Sequence, residues 1–249
     1  MAAALEVFSN CFDIHDFDSD AFGSLTMPRL LGYLLHAAGG SADSLGFGIR
    51  ELQKQGLTWV IGRIRIVLNE CLAVGDSIIV ETWPSGLQRS IAMRDFRIIR
   101  NGLEVGRATS QWFVLDMETR MPVRPHAWFP ERLRAQPEHL VTLSRTVPKL
   151  LEPPELCVSF EVRKADIDIN RHVTAASYVT WAMESIPETV WSEQRIESFD
   201  VHFLEECHLG STVMAESQRA DEVTLLHRIR RNDANVELAR LATTWVPRG

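Results

Sequence analysis

The chain has 249 residues, 45% of them hydrophobic and 24% charged, a balance that suits a globular protein of one large domain or two of ordinary size. Its 26 basic and 33 acidic residues give a net charge of −7, which repels a phosphate backbone and excludes nucleic acid as an expected partner. The four cysteines lack C-x-x-C spacing, no basic segment followed by an apolar stretch opens the chain, and no apolar run nears the ~20 residues of a membrane span; a cytoplasmic protein with free thiols and no membrane insertion is expected.

In chain order, a short strand around Phe12 leads through a turn to a helix expected over Thr26 to Ala42. Leu30, Leu31, Tyr33, Leu34, Leu35, Ala37 and Ala38 cover most of its circumference, which predicts a helix buried nearly all round. Arg63-Ile-Arg-Ile-Val-Leu68 then alternates, with Ile64, Ile66 and Leu68 on one face and Arg63 and Arg65 on the other. Further strands are expected at Ser77–Trp83, Ser90–Arg100 and Glu104–Leu115, the last two joined at Asn101-Gly102, a hairpin turn signal. From Met121 to Leu156 the chain carries seven prolines, so this stretch reads as a surface connection, with a short helix expected near Glu131 to Arg134.

After the connection the pattern starts again. Phe160 to Asp168 matches Phe12 to Asp20 at an offset of 160 − 12 = 148, pairing Asp18 with Asp166, Thr26 with Thr174 and Tyr33 with Trp181. Glu205-Glu206-Cys207 matches Asn69-Glu70-Cys71 at 136, and Ala242-Thr-Thr-Trp245 matches Ala108 to Trp112 at 133 to 134. The offset falls steadily, as it would with shortened loops. The second helix is expected over Thr174 to Ser185, limited by Pro187, followed by strands at Ser198–Phe203, Val213–Gln218, Val223–Arg231 and Val236–Val246. A buried helix followed by antiparallel strands predicts an α+β fold in which a sheet wraps around the helix. This is the hotdog arrangement, here in tandem: a first unit over 1–120, a Pro-rich connection over 121–156 and a second unit over 157–249. Because the duplication already pairs two units in one chain, either a monomer or a homodimer is expected.

Polar residues suited to catalysis concentrate in the second copy. Asp168, Asn170 and His172 alternate, so an extended segment would point all three the same way, just before a helix N-terminus whose free amides suit an oxyanion. Histidine titrates near neutrality, as a general base should. The first copy is an internal control: at 148, Asp20 matches Asp168, whereas Phe22 and Ser24 stand at the places of Asn170 and His172. The first unit is thus degenerate at this point, so Asn170 and His172 are not there for folding alone; capping the helix or hydrogen-bonding a loop is the competing reading. Glu206 is a second candidate, beside Cys207, although Glu70-Cys71 echoes the pair. Gly46-Phe-Gly48 lacks the third glycine of a dinucleotide loop, no G-x-S-x-G elbow or phosphate loop occurs, and the eight histidines do not cluster at metal spacing. Arg228, Arg230 and Arg231 form a basic run, the usual pattern of a solvated strand face, with contact to an acidic partner as the alternative.

Asp166-Ile-Asp168-Ile-Asn170-Arg-His172-Val173, continuing to Tyr178, Trp181 and Glu184-Ser185, resembles the acyl-acyl-carrier-protein (acyl-ACP) thioesterase family, as does Glu206-Cys207. In the first half Leu57-Thr-Trp59-Val, Thr82-Trp-Pro-Ser-Gly86, Arg94-Asp95-Phe96 and Ser110-Gln-Trp112 also resemble it, while Val173-Thr174-Ala175 departs from the Val-Asn-Asn of many members. The resemblance implies a double hotdog fold, Asp168, Asn170, His172 and Glu206 in the site, and hydrolysis of a fatty acyl thioester on acyl carrier protein, with no metal or redox cofactor. An acyl-CoA enzyme of related fold and a non-catalytic acyl-binding protein are the alternatives.

Overall fold

The computed structural model describes residues 7–124, 139–144, 149–150, 153–233 and 236–248. The helix expected near Glu131 to Arg134 lies outside these residues, as do Pro125, Pro130, Pro137 and Pro148. The chain divides into two compact units, one comprising Met1–Leu25 and Leu30–Leu143, the other Thr26–Arg29 and Ser144–Gly249.

The first unit contains β1 (Phe8–Asp13), α1 (Met27–Ser44) from Leu30 onward, α2 (Ile49–Gln53), β2 (Leu57–Leu68), β3 (Ser77–Gln88), β4 (Ile91–Arg100), β5 (Leu103–Asp116) and a two-residue β6 (Pro122–Val123). Its antiparallel strands run in the order β1-β3-β4-β5-β2, with β6 pairing β5. Asn101 and Gly102 join β4 to β5 with φ of 52° and 76°, both in the left-handed region that a two-residue hairpin turn of the primed kind requires. The second unit contains β7 (Leu156–Glu161), α3 (Ala175–Met183), α4 (Glu188–Glu193), β8 (Gln194–Phe203), β9 (Thr212–Arg219), β10 (Thr224–Arg231) and β11 (Val236–Pro247). Its order, β7-β9-β10-β11-β8, repeats the first position for position.

The duplication holds residue by residue at the start of each unit. Short 3-10 turns at Asp16–Asp18 and Lys164–Asp166 are closed by Asp18 accepting from the His15 amide (3.1 Å) and Asp166 from the Arg163 amide (2.8 Å). The bridges Ser19–Leu25 and Ile167–Val173 follow at the same offset of 148. Phe12 stacks on Tyr33 (4.4 Å between ring centres) as Phe160 does on Trp181 (6.3 Å). Beyond the helices the offset does not fall steadily. Sheet register gives 216 − 81 = 135, 228 − 97 = 131 and 240 − 107 = 133 for the successive Glu–Arg–Arg rows of the two sheets. The large step falls between helix and second strand, where α1 is 18 residues long and α3 only nine.

The two helices are buried differently. No residue of α3 is fully exposed, and Tyr178, Val179, Trp181 and Ala182 are buried in the core. On α1, Leu30, Leu31 and Leu34 are buried, each side chain contributing about 1.5–3 kcal/mol, yet Arg29, Gly32, His36, Gly39 and Asp43 form an exposed stripe. The expectation of a helix buried all round therefore holds for the second unit and not for the first. Two further expectations are corrected. Arg63 is buried although the unbroken register from Arg63 to Leu68 keeps it on the face opposite Ile64, because that face also carries the segment around Thr142, whose carbonyl accepts from Arg65 Nη1 at 2.9 Å. The basic run on β10 is not a solvated face, since Arg228 and Arg230 reach the buried Glu216 at 2.6 and 2.9 Å and Arg231 reaches Asp233 at 2.7 Å.

Candidate active site

Asp168 to His172 form a tight turn rather than an extended strand, so alternation is not what brings their side chains together. The Asp168 amide donates to the His172 carbonyl at 2.9 Å and the Arg171 amide to the Asp168 carbonyl at 3.0 Å. Asp168 Oδ1 accepts from the amides of Asn170 (2.8 Å) and His172 (3.3 Å), while the Asn170 side-chain amide reaches Oδ2 at 3.4 Å. Arg171 sits at φ 65°, a conformation uncommon outside glycine.

The first unit builds the same turn without the side chains. Asp20 Oδ1 accepts from the amides of Phe22 and Ser24, both at 2.9 Å, the Asp20 amide donates to the Ser24 carbonyl at 2.8 Å, and Gly23 takes the left-handed place with φ 75°. The shared task of the aspartate is to hold the turn. Asp20→Ala and Asp168→Ala are each expected to cost about 1–2 kcal/mol of stability by urea unfolding. Only Asp168→Ala is expected to lower turnover as well; equal effects of the two on rate would remove Asp168 from the site.

Glu206 lies in the loop after β8, and its Oε2 stands 3.4 Å from His172 Nε2, with the two side chains 36% and 25% exposed. The backbone corrects its match in the first unit. The Val173 amide donates to the Cys207 carbonyl and the Leu25 amide to the Leu72 carbonyl, and 173 − 25 = 148 whereas 207 − 72 = 135. The loop offset is thus 135, not 136: Glu205 corresponds to Glu70, and Glu206 to Cys71. Glu70 is paired with Arg100, and Cys71 Sγ donates to Ser24 Oγ at 3.4 Å. The echo that weakened Glu206 disappears, and the His172–Glu206 pair occupies the place that Ser24–Cys71 fills in the first unit.

The surroundings are polar below and apolar behind. Asp166 is buried; burial pushes its carboxyl up, but hydrogen bonds from Arg163 and Ser177 and the Arg163 charge outweigh this and hold it below the ordinary aspartate range. Tyr178 Oη donates to the Glu205 carbonyl at 3.4 Å, and burial raises its pKa well above that of a free tyrosine. Cys207 is fully buried. Sequence reasoning passed over His208, whose ring centre lies 4.9 Å from that of His172; the signal is that the 135 offset puts Ala73 opposite it. It also passed over a Ser–His–Asp grouping in the first unit. There His139 Nδ1 lies 3.2 Å from Ser85 Oγ and 3.7 Å from Asp95 Oδ2, so one nitrogen faces both partners and no relay from hydroxyl to carboxylate through the ring is formed. Among the described residues no group of three or more His, Cys, Asp or Glu is placed to hold a metal ion, and no helix is long and apolar enough to cross a membrane.

Chemically, the turn and the loop after β8 together offer an amide side chain, an imidazole and a carboxylate, with His172 three residues before the start of α3. Comparison with known proteins points one way. Residues 5–127 match the acyl-ACP thioesterase N-terminal domain and residues 154–247 the acyl-ACP thioesterase C-terminal domain. The chain is 25% identical to oleoyl-acyl carrier protein thioesterase 1 of Arabidopsis thaliana over 94% of its own length and 74% of that protein's. It is 26% identical to a dodecanoyl-[acyl-carrier-protein] hydrolase of Cinnamomum camphora, over 97% and 68%. An acyl-ACP thioesterase structure from Bacteroides thetaiotaomicron superposes with a TM-score of 0.88 at 25% identity, covering 96% of this chain and 98% of that one. A 12:0-ACP thioesterase from Umbellularia californica superposes with 0.85 at 22% identity, over 97% and 98%.

Proposed function

The chain belongs to the acyl-ACP thioesterase family, and from that membership we propose that the His172 turn carries out its reaction, the hydrolysis of fatty acyl-ACP to a free fatty acid and acyl carrier protein. The observation that carries the assignment is the His172–Glu206 pair at 3.4 Å, which stands where the first unit holds only serine and cysteine. Water is the nucleophile. As its oxygen bonds to the thioester carbon, the carbonyl π electrons move to oxygen, and the water proton passes to the His172–Glu206 pair. A histidine that takes the proton becomes a cation beside a carboxylate, which stabilises it in this half-buried setting. The Asn170 side-chain amide and the first amides of α3 stabilise the oxyanion. The carbonyl re-forms, the C–S bond breaks, and the departing sulfur of the carrier takes the proton back. Asp168 acts through Asn170 and His172 by holding their backbone amides.

Release of carrier thiol from acyl-ACP, several-fold faster than from the matching acyl-CoA, is the expected result in a thiol-detection assay; binding without release would overturn the assignment. Cys207→Ala separates the water route from a covalent one. With its thiol buried and its carbonyl bound by Val173, Cys207 is a packing residue, and most turnover is expected to survive its loss. A thiol nucleophile would instead lose on the order of 10⁶-fold. The four free cysteines fit a reducing, cytoplasmic setting.

A further inference from the structure

Glu206 sits in the loop between β8 and β9, where no helix or strand fixes its direction. The loop starts with the Leu204 amide on the Leu238 carbonyl at 2.9 Å and is held again at Cys207, whose carbonyl takes the Val173 amide at 2.9 Å. Tyr178 of α3, only 4% exposed, reaches the stretch between these two points. Its Oη donates to the Glu205 carbonyl at 3.4 Å and accepts from the Cys207 amide, so one hydroxyl grips the backbone on both sides of Glu206. Phe203 and Trp181 pack edge-on against its ring, with 5.9 and 5.6 Å between centres, and so fix where that hydroxyl stands.

The first unit shows that the fold does not demand this hydroxyl. At the offset of 148 the place of Tyr178 is taken by Leu30, buried and without a polar tip. A cation holds the loop there instead: Arg100 donates to the Cys71 carbonyl at 2.9 Å and pairs with Asp76 at 2.6 Å and with Glu70. Sheet register makes Arg231 the counterpart of Arg100, since it faces Val213 as Arg100 faces Ile78. Arg231 turns to Asp233 at 2.7 Å, and at the offset of 135 Ser211 stands in the place of Asp76. A guanidinium over the loop claims its carboxylate, as Arg100 claims Glu70. A neutral hydroxyl holds the backbone and leaves Glu206 to His172. Burial raises the Tyr178 pKa far above the ordinary tyrosine range, so the hydroxyl stays a neutral donor at and above neutral pH.

We infer that Tyr178 is a positioning residue for hydrolysis: its hydroxyl sets the backbone that aims the Glu206 carboxylate at His172. The inference rests on the assignment of the His172–Glu206 pair and adds a residue that touches neither substrate nor the reacting atoms. A bond of 3.4 Å between neutral groups adds little to stability, so the loss of its oxygen should show in rate rather than in folding.

Tyr178→Phe keeps the ring and removes that oxygen. On a single acyl-ACP it is expected to lower kcat about tenfold with KM changed less than about twofold, while Tm stays within about 3 °C of the intact protein. The decisive readout is the same change made in a Glu206→Ala background. There the carboxylate that Tyr178 aims is gone, and the further fall in kcat should shrink to less than about twofold. A packing residue would slow both backgrounds alike, so an equal tenfold fall in the two would overturn the inference. Near-normal kcat of Tyr178→Phe beside a Glu206→Ala protein that has lost its turnover would sink Tyr178 alone and leave Glu206 in the site. Near-normal turnover of Glu206→Ala would remove the assignment and the role of Tyr178 with it. Tyr178→Leu, which copies the first unit, repeats the cycle if the phenylalanine variant unfolds early, and the same vanishing loss in the Glu206→Ala background is expected.

Discussion

Asn170→Ala is expected to lower turnover on acyl-ACP about 10²–10³-fold while leaving the fold and KM nearly unchanged, the usual loss for one oxyanion donor. Its backbone is set by the Asp168 carboxylate, and the first unit makes the same turn with Phe22 in its place, so the side chain is free of a folding task. Its side-chain nitrogen lies 3.4 Å from Asp168 Oδ2, which leaves a second N–H on that nitrogen to meet a developing negative oxygen. The interaction strengthens as charge builds on the carbonyl, so its loss falls on kcat rather than on substrate binding. Asn170→Asp keeps the shape and reverses the chemistry, putting a negative oxygen where the donor was; it should be at least as damaging as alanine. Steady-state kinetics on one acyl-ACP decides the matter, and a folded Asn170→Ala protein with near-normal kcat would remove the residue from the chemistry.

The duplication and the strand plan were legible because the offset of 148 stays constant from β1 to the start of α1, and because half-buried strands alternate openly, as in Ile64, Ile66 and Leu68. Register was not legible where a residue is gained or lost. Glu70-Cys71 and Glu206-Cys207 share letters, but the backbone aligns Cys71 with Glu206, and only the Leu25–Leu72 and Val173–Cys207 hydrogen bonds reveal it. The burial of Arg63 was not legible either, because the chain that lies on its face of the sheet, around Val141 and Thr142, is far away in sequence. Helices α2 and α4, of five and six residues, are too short for a helical period to appear. The Asp168 turn was concealed by Arg171, a non-glycine in the left-handed region, although Gly23 marks the same place openly in the first unit. The cavity of the first unit beside α1, lined by Leu35, Trp59 and Trp112, had no signal in the chain, since its volume depends on how α1 and four strands pack.

The pairing of His172 with Glu206 carries the second large effect. Single changes to alanine are each expected to cost about 10²–10⁴ in kcat, the range for removing a positioned acid–base group. If the two side chains share one proton-transfer task, the double variant should fall little further than the worse single one, because the second loss removes a partner already idle. Two groups acting at separate steps would instead multiply their losses. A sharper version exploits the duplication: His172→Ser with Glu206→Cys copies the Ser24–Cys71 contact, which the first unit holds at the same distance of 3.4 Å as the pair it replaces. That variant should fold, because the equivalent loop and turn of the first unit are closed by the same backbone bonds, Leu25 to Leu72 there and Val173 to Cys207 here. It should have no measurable turnover above the alanine variants. Thermal unfolding near that of the intact protein together with this loss would assign the rate to the pair itself. Retention of more than about a tenth of the activity would instead move the proton-transfer role to another group, since general acid–base catalysis alone is worth more than that.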